Sequence, residues 1–179
     1  MIVLAGASAS GKTEVAKLLA KKYGIIKAIT TTTRNLRVGE KNGIDYFFVS
    51  KEEFLKMVKE DKFVEYTFYN GNYYGSTKDQ ISKNKCVVVD PNGLKAYIAL
   101  NDPNVITYFL ESKEKTRKKR MISRGDDQEK IKYRIKHDRV AFKKENIPTV
   151  NYRIDSETKT IEEVADQIYQ NYLKAFPNK

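Results

Sequence analysis

Met1-Ile2-Val3-Leu4-Ala5-Gly6-Ala7-Ser8-Ala9-Ser10-Gly11-Lys12-Thr13 is the stretch on which the reading of this chain turns. Its first five residues are apolar and read as a short buried strand. Gly6 to Thr13 matches G-x-x-x-x-G-K-[ST]. Residues 12–23 predict a helix, with Val15, Leu18, Leu19 and Tyr23 on one face and Lys17, Lys21 and Lys22 off it. Gly24 follows at the stop position. A strand that runs into this loop and out into a helix is the context that gives the motif its meaning. Gly6 and Gly11 let the backbone wrap an anion, and the loop amides and helix N-terminus face it with partial positive charge. Lys12 reaches the β- and γ-phosphates, and the Thr13 hydroxyl is a ligand for Mg²⁺. Residues Gly6, Ala7, Ser8, Ala9, Ser10, Gly11, Lys12 and Thr13 are therefore the candidate triphosphate site, with Thr13 the candidate metal ligand. The loop leaves the phosphoryl acceptor open, because GTPases, ATPases and small-molecule kinases all use it.

Outward from the loop, strands and helices alternate. Residues 25–33 are β-branched and predict a strand, and residues 46–49 a short aromatic one. Ser50 and Glu53 form a capping box for a helix over 51–60. Residues 63–74 alternate and are aromatic, which predicts strands of a small mixed sheet. A helix is expected near 77–83, a buried strand over 86–89 ending at Asp90, and a turn at Pro91-Asn92-Gly93. Beyond it the pattern predicts a helix over 94–100, a strand over 105–110 and a helix over 113–123. A long charged helix over 128–146, a strand over 152–154 and a terminal helix over 161–176 complete the chain. This alternation predicts an α/β fold, a parallel central sheet flanked by helices in three layers. The stretch 31–76 breaks the alternation and is expected to form a small mixed-sheet subdomain, with 1–30 and 77–179 as the core.

At 179 residues the chain is about one domain's worth, on a prior of roughly 100–200 residues each. Hydrophobic residues make up 40% and charged residues 32%, which excludes a disordered chain and a membrane-embedded one. The start lacks the basic segment and long apolar stretch of a secretory signal. Cys86, the one cysteine, rules out an intrachain disulfide and is expected in a buried strand. With His137 as the one histidine, it also makes a zinc site from this chain implausible. A cytoplasmic location is expected. Lys and Arg number 34 against 23 Asp and Glu, a net charge of +11. Such a balance attracts anions. The arginines, which grip phosphate bidentately, cluster at Arg34 and Arg37 and again between Arg117 and Arg139. The basic stretch from Tyr133 to Lys144 has no aromatic platform for stacking bases, so no nucleic-acid partner is expected.

Three further stretches point to the acceptor. They are Thr30-Thr31-Thr32-Thr33-Arg34-Asn35-Leu36-Arg37-Val38-Gly39-Glu40 with Asn42-Gly43-Ile44-Asp45-Tyr46-Phe47-Phe48, then Phe63-Val64-Glu65-Tyr66, then Gly71-Asn72-Tyr73-Tyr74-Gly75-Ser76. In this order, after the phosphate loop, they resemble the nucleoside-monophosphate region of guanylate kinases. The resemblance runs to Gly93 and continues more weakly to the C-terminus. It implies ATP as donor with Mg²⁺, GMP as acceptor, a GMP-binding subdomain over 31–76 and a helical lid near 124–134. By the same resemblance Arg34, Arg37, Tyr46 and Tyr74 hold the GMP phosphate, Thr30, Glu65 and Ser76 read the base, and Asp90 assists. Arg120-Met121-Ile122-Ser123-Arg124-Gly125 resembles the family's R-x-x-x-R-G, and Arg134 a further arginine beyond it. Lys12, Arg34, Arg120, Arg124 and Arg134 are thus the expected catalytic residues, with Arg124 also stacking on adenine and Arg134 bridging the donor and acceptor phosphates. Physical chemistry supports these roles. Two arginines beside tyrosine hydroxyls suit a phosphate dianion. A carboxylate accepts from guanine N1–H and the 2-amino group, a donor pattern adenine lacks.

The chain departs from that family in places. Ala7 and Ala9 stand where proline and glycine are common, Thr30 where serine is, and Leu36 where proline is. Relatives often end the strand before Asp90 with Asp-x-Asp, and here Val88 takes the first acidic position. Two rivals fit part of the pattern. One is a kinase of this fold for another phosphorylated acceptor, which the presence of Glu65 and Ser76 disfavours. The other is a non-catalytic binding module, which the intact Lys12 and Thr13 disfavour. A monomer or a homodimer is expected.

Overall fold

In the computed structural model, which describes residues 1–176, the first strand is β1, Ile2–Ala5, with all four residues buried. Its side chains feed two cores. Ile2 and Leu4 pack with Val15 and Leu19 of α1 (Lys12–Tyr23) and with Val164 and Ile168 of α6 (Ile161–Ala175). Met1, Val3 and Ala5 pack on the opposite side with Leu94 and Tyr97 of α3 (Pro91–Ala99). A strand covered on both faces has no polar side, which is why the sequence shows an unbroken apolar run there.

Five parallel strands form this sheet, in the order β2 (Ile26–Lys27), β7 (Lys85–Val88), β1, β8 (Ile106–Glu111) and β9 (Tyr152–Asp155). The fold is the α/β architecture that the alternation implied. β7 and β8 flank β1, with Leu4 in register with Val88 on one side and Tyr108 on the other. The loop leaving β1 therefore opens at the carboxyl edge of the sheet, where doubly wound folds bind their ligands.

A second, four-stranded sheet is mixed and lies in the order β4 (Phe47–Phe48), β3 (Thr31–Thr32), β6 (Asn72–Thr77), β5 (Phe63–Tyr69). β3 runs parallel to β4 and antiparallel to β6, which is antiparallel to β5. Helix α2 (Lys51–Lys59) packs on it through Phe54, whose ring lies 4.4 Å from Phe63 and 5.3 Å from Tyr73. Aromatic stacking accounts for Tyr73 without any ligand.

Several local expectations change. Residues 25–33 are two strands in two sheets, because β-branched propensity does not say which sheet a strand joins. The helix expected near 77–83 is a 3₁₀ turn, Lys78–Gln80. Pro91-Asn92-Gly93 is the first turn of α3 itself: the Asp90 side chain accepts from the Gly93 N–H at 2.8 Å, and proline at the helix start forfeits no hydrogen bond. The long charged helix stops early as α5 (Gln128–Ala141), followed by a 3₁₀ turn, Lys144–Asn146. Helix α4 (Glu114–Ser123) precedes it. Ser50 caps α2 by accepting from the Glu53 N–H at 3.0 Å. The reciprocal capping box closes at Thr160 and Glu163 of α6.

Candidate active site

The phosphate loop has the backbone that its glycines permit. Gly6 lies at φ 148 and Gly11 at φ 98. A Cβ on Gly6 would sit 2.7 Å from the Leu110 carbonyl oxygen, so only glycine fits against β8. The Lys12 ammonium caps the loop from within, donating to the Gly6 oxygen at 2.5 Å and the Ala7 oxygen at 2.9 Å. Burial lowers its pKa to about 8, opposed by the charge of Asp138 and reinforced by that of Arg117. Ser10 is fully buried and its N–H closes back on the Ala7 oxygen at 3.2 Å. Thr13 is exposed on the first turn of α1.

The arginines expected in the lid divide into two groups. Arg120 turns inward, donating to the Ala9 oxygen at 3.3 Å and the Ser156 oxygen at 2.6 Å. Arg124 and Arg134 meet at one carboxylate, Asp126. Arg124 binds it through both oxygens at 2.9 and 2.6 Å, and Arg134 through one at 2.8 Å. The two cations hold the Asp126 carboxyl below the usual range, the hydrogen bond from Arg124 being the larger cause. Two arginines ten positions apart in sequence thus share one carboxylate.

On the acceptor side, Glu65 of β5 stands opposite Ser76 of β6, where the register shifts at a bulge. The Ser76 hydroxyl donates to Glu65 at 2.8 Å. Burial raises the Glu65 pKa, and the charge of Asp90 adds to the rise. Arg34 forms a two-point ion pair with Glu40, at 2.7 and 3.0 Å, and lies over the rings of Tyr46 and Phe48 at 5.3 and 5.6 Å. Tyr46 and Tyr74 meet edge to face at 6.3 Å. Arg34, Tyr46 and Tyr74 therefore form one cluster. Arg37 is exposed, with its backbone N–H tied to Glu40 at 2.8 Å. Thr30 is half-buried, and its carbonyl accepts from Phe47 N–H at 3.0 Å.

Two cavities meet at this part of the fold, and Thr30, Arg34, Arg37, Tyr46, Tyr74 and Ser76 line neither of them. One, of about 540 Å³, is lined by Gly6, Ser8, Lys12, Val88 and His137 among others. The other, of about 410 Å³, is lined by Glu65, Val64 and Ala96 among others. Asp90 and Asn92 line both. Asp90 thus stands at their junction, its side chain held by the start of α3.

Some residues at the site escaped the sequence reading. Arg117 and Asp138 form a buried ion pair at 2.7 Å against Ser8. Asp126 gathers two arginines, and Glu40 orients a third. His137, which has no motif around it, lines the larger cavity. No local signal marks the Arg117–Asp138 pair, because its members stand on different helices, 21 positions apart.

A glycine-rich loop at the carboxyl edge of a parallel sheet, with Arg117 and Arg120 reaching its carbonyls and a second cavity alongside, marks the class of P-loop proteins, which includes the phosphotransferases. The guanylate kinase family model matches residues 1–169. The chain is 35% identical to the guanylate kinase of Anaplasma phagocytophilum (strain HZ), over 98% of this chain and 86% of that protein. It is 32% identical to the guanylate kinase of Clostridium perfringens (strain 13 / Type A), over 98% of this chain and 89% of that protein. The crystal structure of guanylate kinase from Anaplasma phagocytophilum superposes with a TM-score of 0.64 at 26% identity, covering all of this chain and 86% of that one. The chain belongs to the guanylate kinase family. Neither rival reading, another acceptor or a non-catalytic module, is favoured by these matches.

Proposed function

We propose that the chain transfers the γ-phosphoryl group of ATP to GMP, giving ADP and GDP, with Mg²⁺ bound to the donor. The observation that carries this reading is the junction at Asp90 and Asn92 of a cavity holding Lys12 and a cavity holding Glu65. In it, the donor site is the loop Gly6, Ala7, Ser8, Ala9, Ser10, Gly11, Lys12 and Thr13. Thr30, Glu65 and Ser76 read the base, and Arg34, Arg37, Tyr46 and Tyr74 hold the acceptor phosphate, with Asp90 between the two sites.

Among the described residues no cluster of three or more histidines, cysteines or carboxylates could cage a metal. The donor set fits Mg²⁺ all the same. Thr13 offers one exposed hard oxygen at the loop's helix, and Mg²⁺ keeps most of its waters and takes phosphate oxygens for the rest. When bound, it supplies neutralisation of phosphate charge.

The chain's own residues do the remaining work by position and charge. No covalent intermediate and no strong base are required, because the GMP phosphate oxygen attacks in line. Lys12, released from the Gly6 and Ala7 carbonyls, follows the β- and γ-phosphates. Arg120 already lies on the loop, and Arg124 and Arg134 exchange Asp126 for phosphate oxygens as the lid near 124–134 closes. Arg34 faces the acceptor phosphate while Glu40 holds its plane. Closure of 31–76 and of the lid excludes water that would otherwise hydrolyse ATP. Among the described residues no helix is long and apolar enough to cross a membrane. We assign the chain to the cytoplasm, with ATP and GMP as its small-molecule partners, as a monomer or homodimer.

The test is ADP release from ATP and Mg²⁺ with GMP, AMP, CMP, UMP or no acceptor. Release confined to GMP is expected. Release with every monophosphate would remove the base-reading role of Glu65, and release with none would remove the proposed reaction.

A further inference from the structure

The buried pair Arg117–Asp138 is used by nothing in the mechanism above. Its side chains are 8% and 4% exposed and 2.7 Å apart, on α4 and α5. Both oxygens of Asp138 point at the phosphate loop. The Ser8 N–H donates to Oδ2 at 2.9 Å, and the Ser8 hydroxyl donates to Oδ1 at 3.1 Å. Arg117 Nη1 donates to the Ser8 carbonyl at 3.3 Å as well as to Asp138. The next residue, Ala9, is held by Arg120 through its carbonyl, and its methyl packs on Met121, Ile131 and Ile135.

Ala9 explains why such a hold is needed. It sits at φ 60, in the left-handed region that favours glycine. A strained residue of this kind persists only where its surroundings over-determine it. From this we infer that the Arg117–Asp138 pair is a positioning device, which clamps Ser8 to α4 and α5 and keeps the loop in its anion-ready conformation before ATP arrives. The inference rests on the donor site proposed above. The pair is not itself an anion or metal site, since each charge cancels the other and both carboxylate oxygens are engaged. Nor is it the simplest filling for the space: Arg117 Nε is buried without a partner, a standing cost that two apolar side chains would not incur.

The test replaces both charges at once. Arg117→Met/Asp138→Leu leaves no unpaired buried ion, so the fold is retained. Binding of ATP with Mg²⁺ and of GMP is measured separately by calorimetry, beside thermal melting. Freeing Ala9 to leave the left-handed region weakens ATP about tenfold, the equivalent of its conformational strain. GMP affinity stays within twofold. Equal weakening of both ligands, or unchanged ATP affinity, would overturn the clamp and leave a packing role. If the double variant does not fold, Arg117→Lys decides. It keeps a cation beside Asp138 but loses the planar fork that also reaches Ser8. ATP is then weakened about threefold with melting unchanged, and wild-type ATP affinity in that variant would overturn the proposal. A wild-type chain that binds no ATP would instead overturn the proposed function.

Discussion

Replacing Glu65 by glutamine separates recognition of the base from everything else the chain does. In the structure Glu65 is half-buried, accepts one hydrogen bond from Ser76 at 2.8 Å, and has a raised pKa because burial disfavours its charge. Guanine offers two adjacent donors, N1–H and the 2-amino group, to the two oxygens of an ionised carboxylate. Glutamine keeps one acceptor and turns an NH₂ towards the other donor. Losing one charge-assisted bond and leaving a donor facing a donor costs about 2–3 kcal/mol. That converts to roughly 30- to 150-fold in kcat/KM for GMP. Adenine has an acceptor at N1, so AMP turnover changes little or improves, and the preference for GMP collapses. The assay is initial-rate ADP release against GMP and against AMP, at saturating ATP and Mg²⁺. The fold provides an internal control. With a folded-state pKa above its unfolded value, Glu65 binds its proton more tightly in the folded chain. Its ionisation therefore erodes stability as pH rises through the carboxylate range, and at neutral pH the charge is a cost. Glu65→Gln consequently melts no lower than wild type, and the loss is one of recognition. An unchanged ratio of GMP to AMP turnover would refute the base-reading role. A lowered melting point with both substrates weakened would show that the carboxylate supports the fold.

Four other outcomes are expected. Lys12→Met lowers kcat on the order of 10²–10³-fold, as removal of one transition-state cation does, while GMP affinity by calorimetry stays within twofold. With its free-enzyme pKa lowered to about 8, Lys12 is charged below that pH and loses its proton above it. The kcat/KM for ATP thus holds on the acid side and falls as pH rises through about 8, and a flat profile to pH 9.5 would remove Lys12 from donor binding. Arg37→Ala raises the KM for GMP roughly tenfold, the worth of a hydrogen bond to a charged group, with the KM for ATP unmoved. Asp126→Asn frees Arg124 and Arg134 from a competing carboxylate and lowers the KM for ATP about two- to threefold, in keeping with the small worth of exposed ion pairs. A raised KM would make Asp126 an organiser of the lid.

The sequence by itself determined the glycine-rich loop of this protein and its setting between a buried strand and a helix. Strand, loop and helix follow one another without a break from Ile2 to Tyr23, and the requirements of each are local. Apolar residues suit a strand buried on both faces, glycine suits the left-handed turns, and lysine follows the last glycine. The α/β architecture followed from the same kind of information, because periodicity and helix stops are carried by near neighbours. Errors fell where local preference was indifferent to context. Residues 25–33 suit a strand in either sheet, and Pro91-Asn92-Gly93 suits a turn as well as the capped start of α3. Only the tertiary structure decided who pairs with whom. Glu65 faces Ser76 because of a register shift between β5 and β6, Asp126 gathers two arginines, and Asp138 reaches Ser8 across 130 positions of chain. The reason is combinatorial and energetic. Among 34 basic and 23 acidic side chains any pairing is chemically acceptable. The choice is made by burial, which removes water as the alternative partner and so makes an unmatched charge costly.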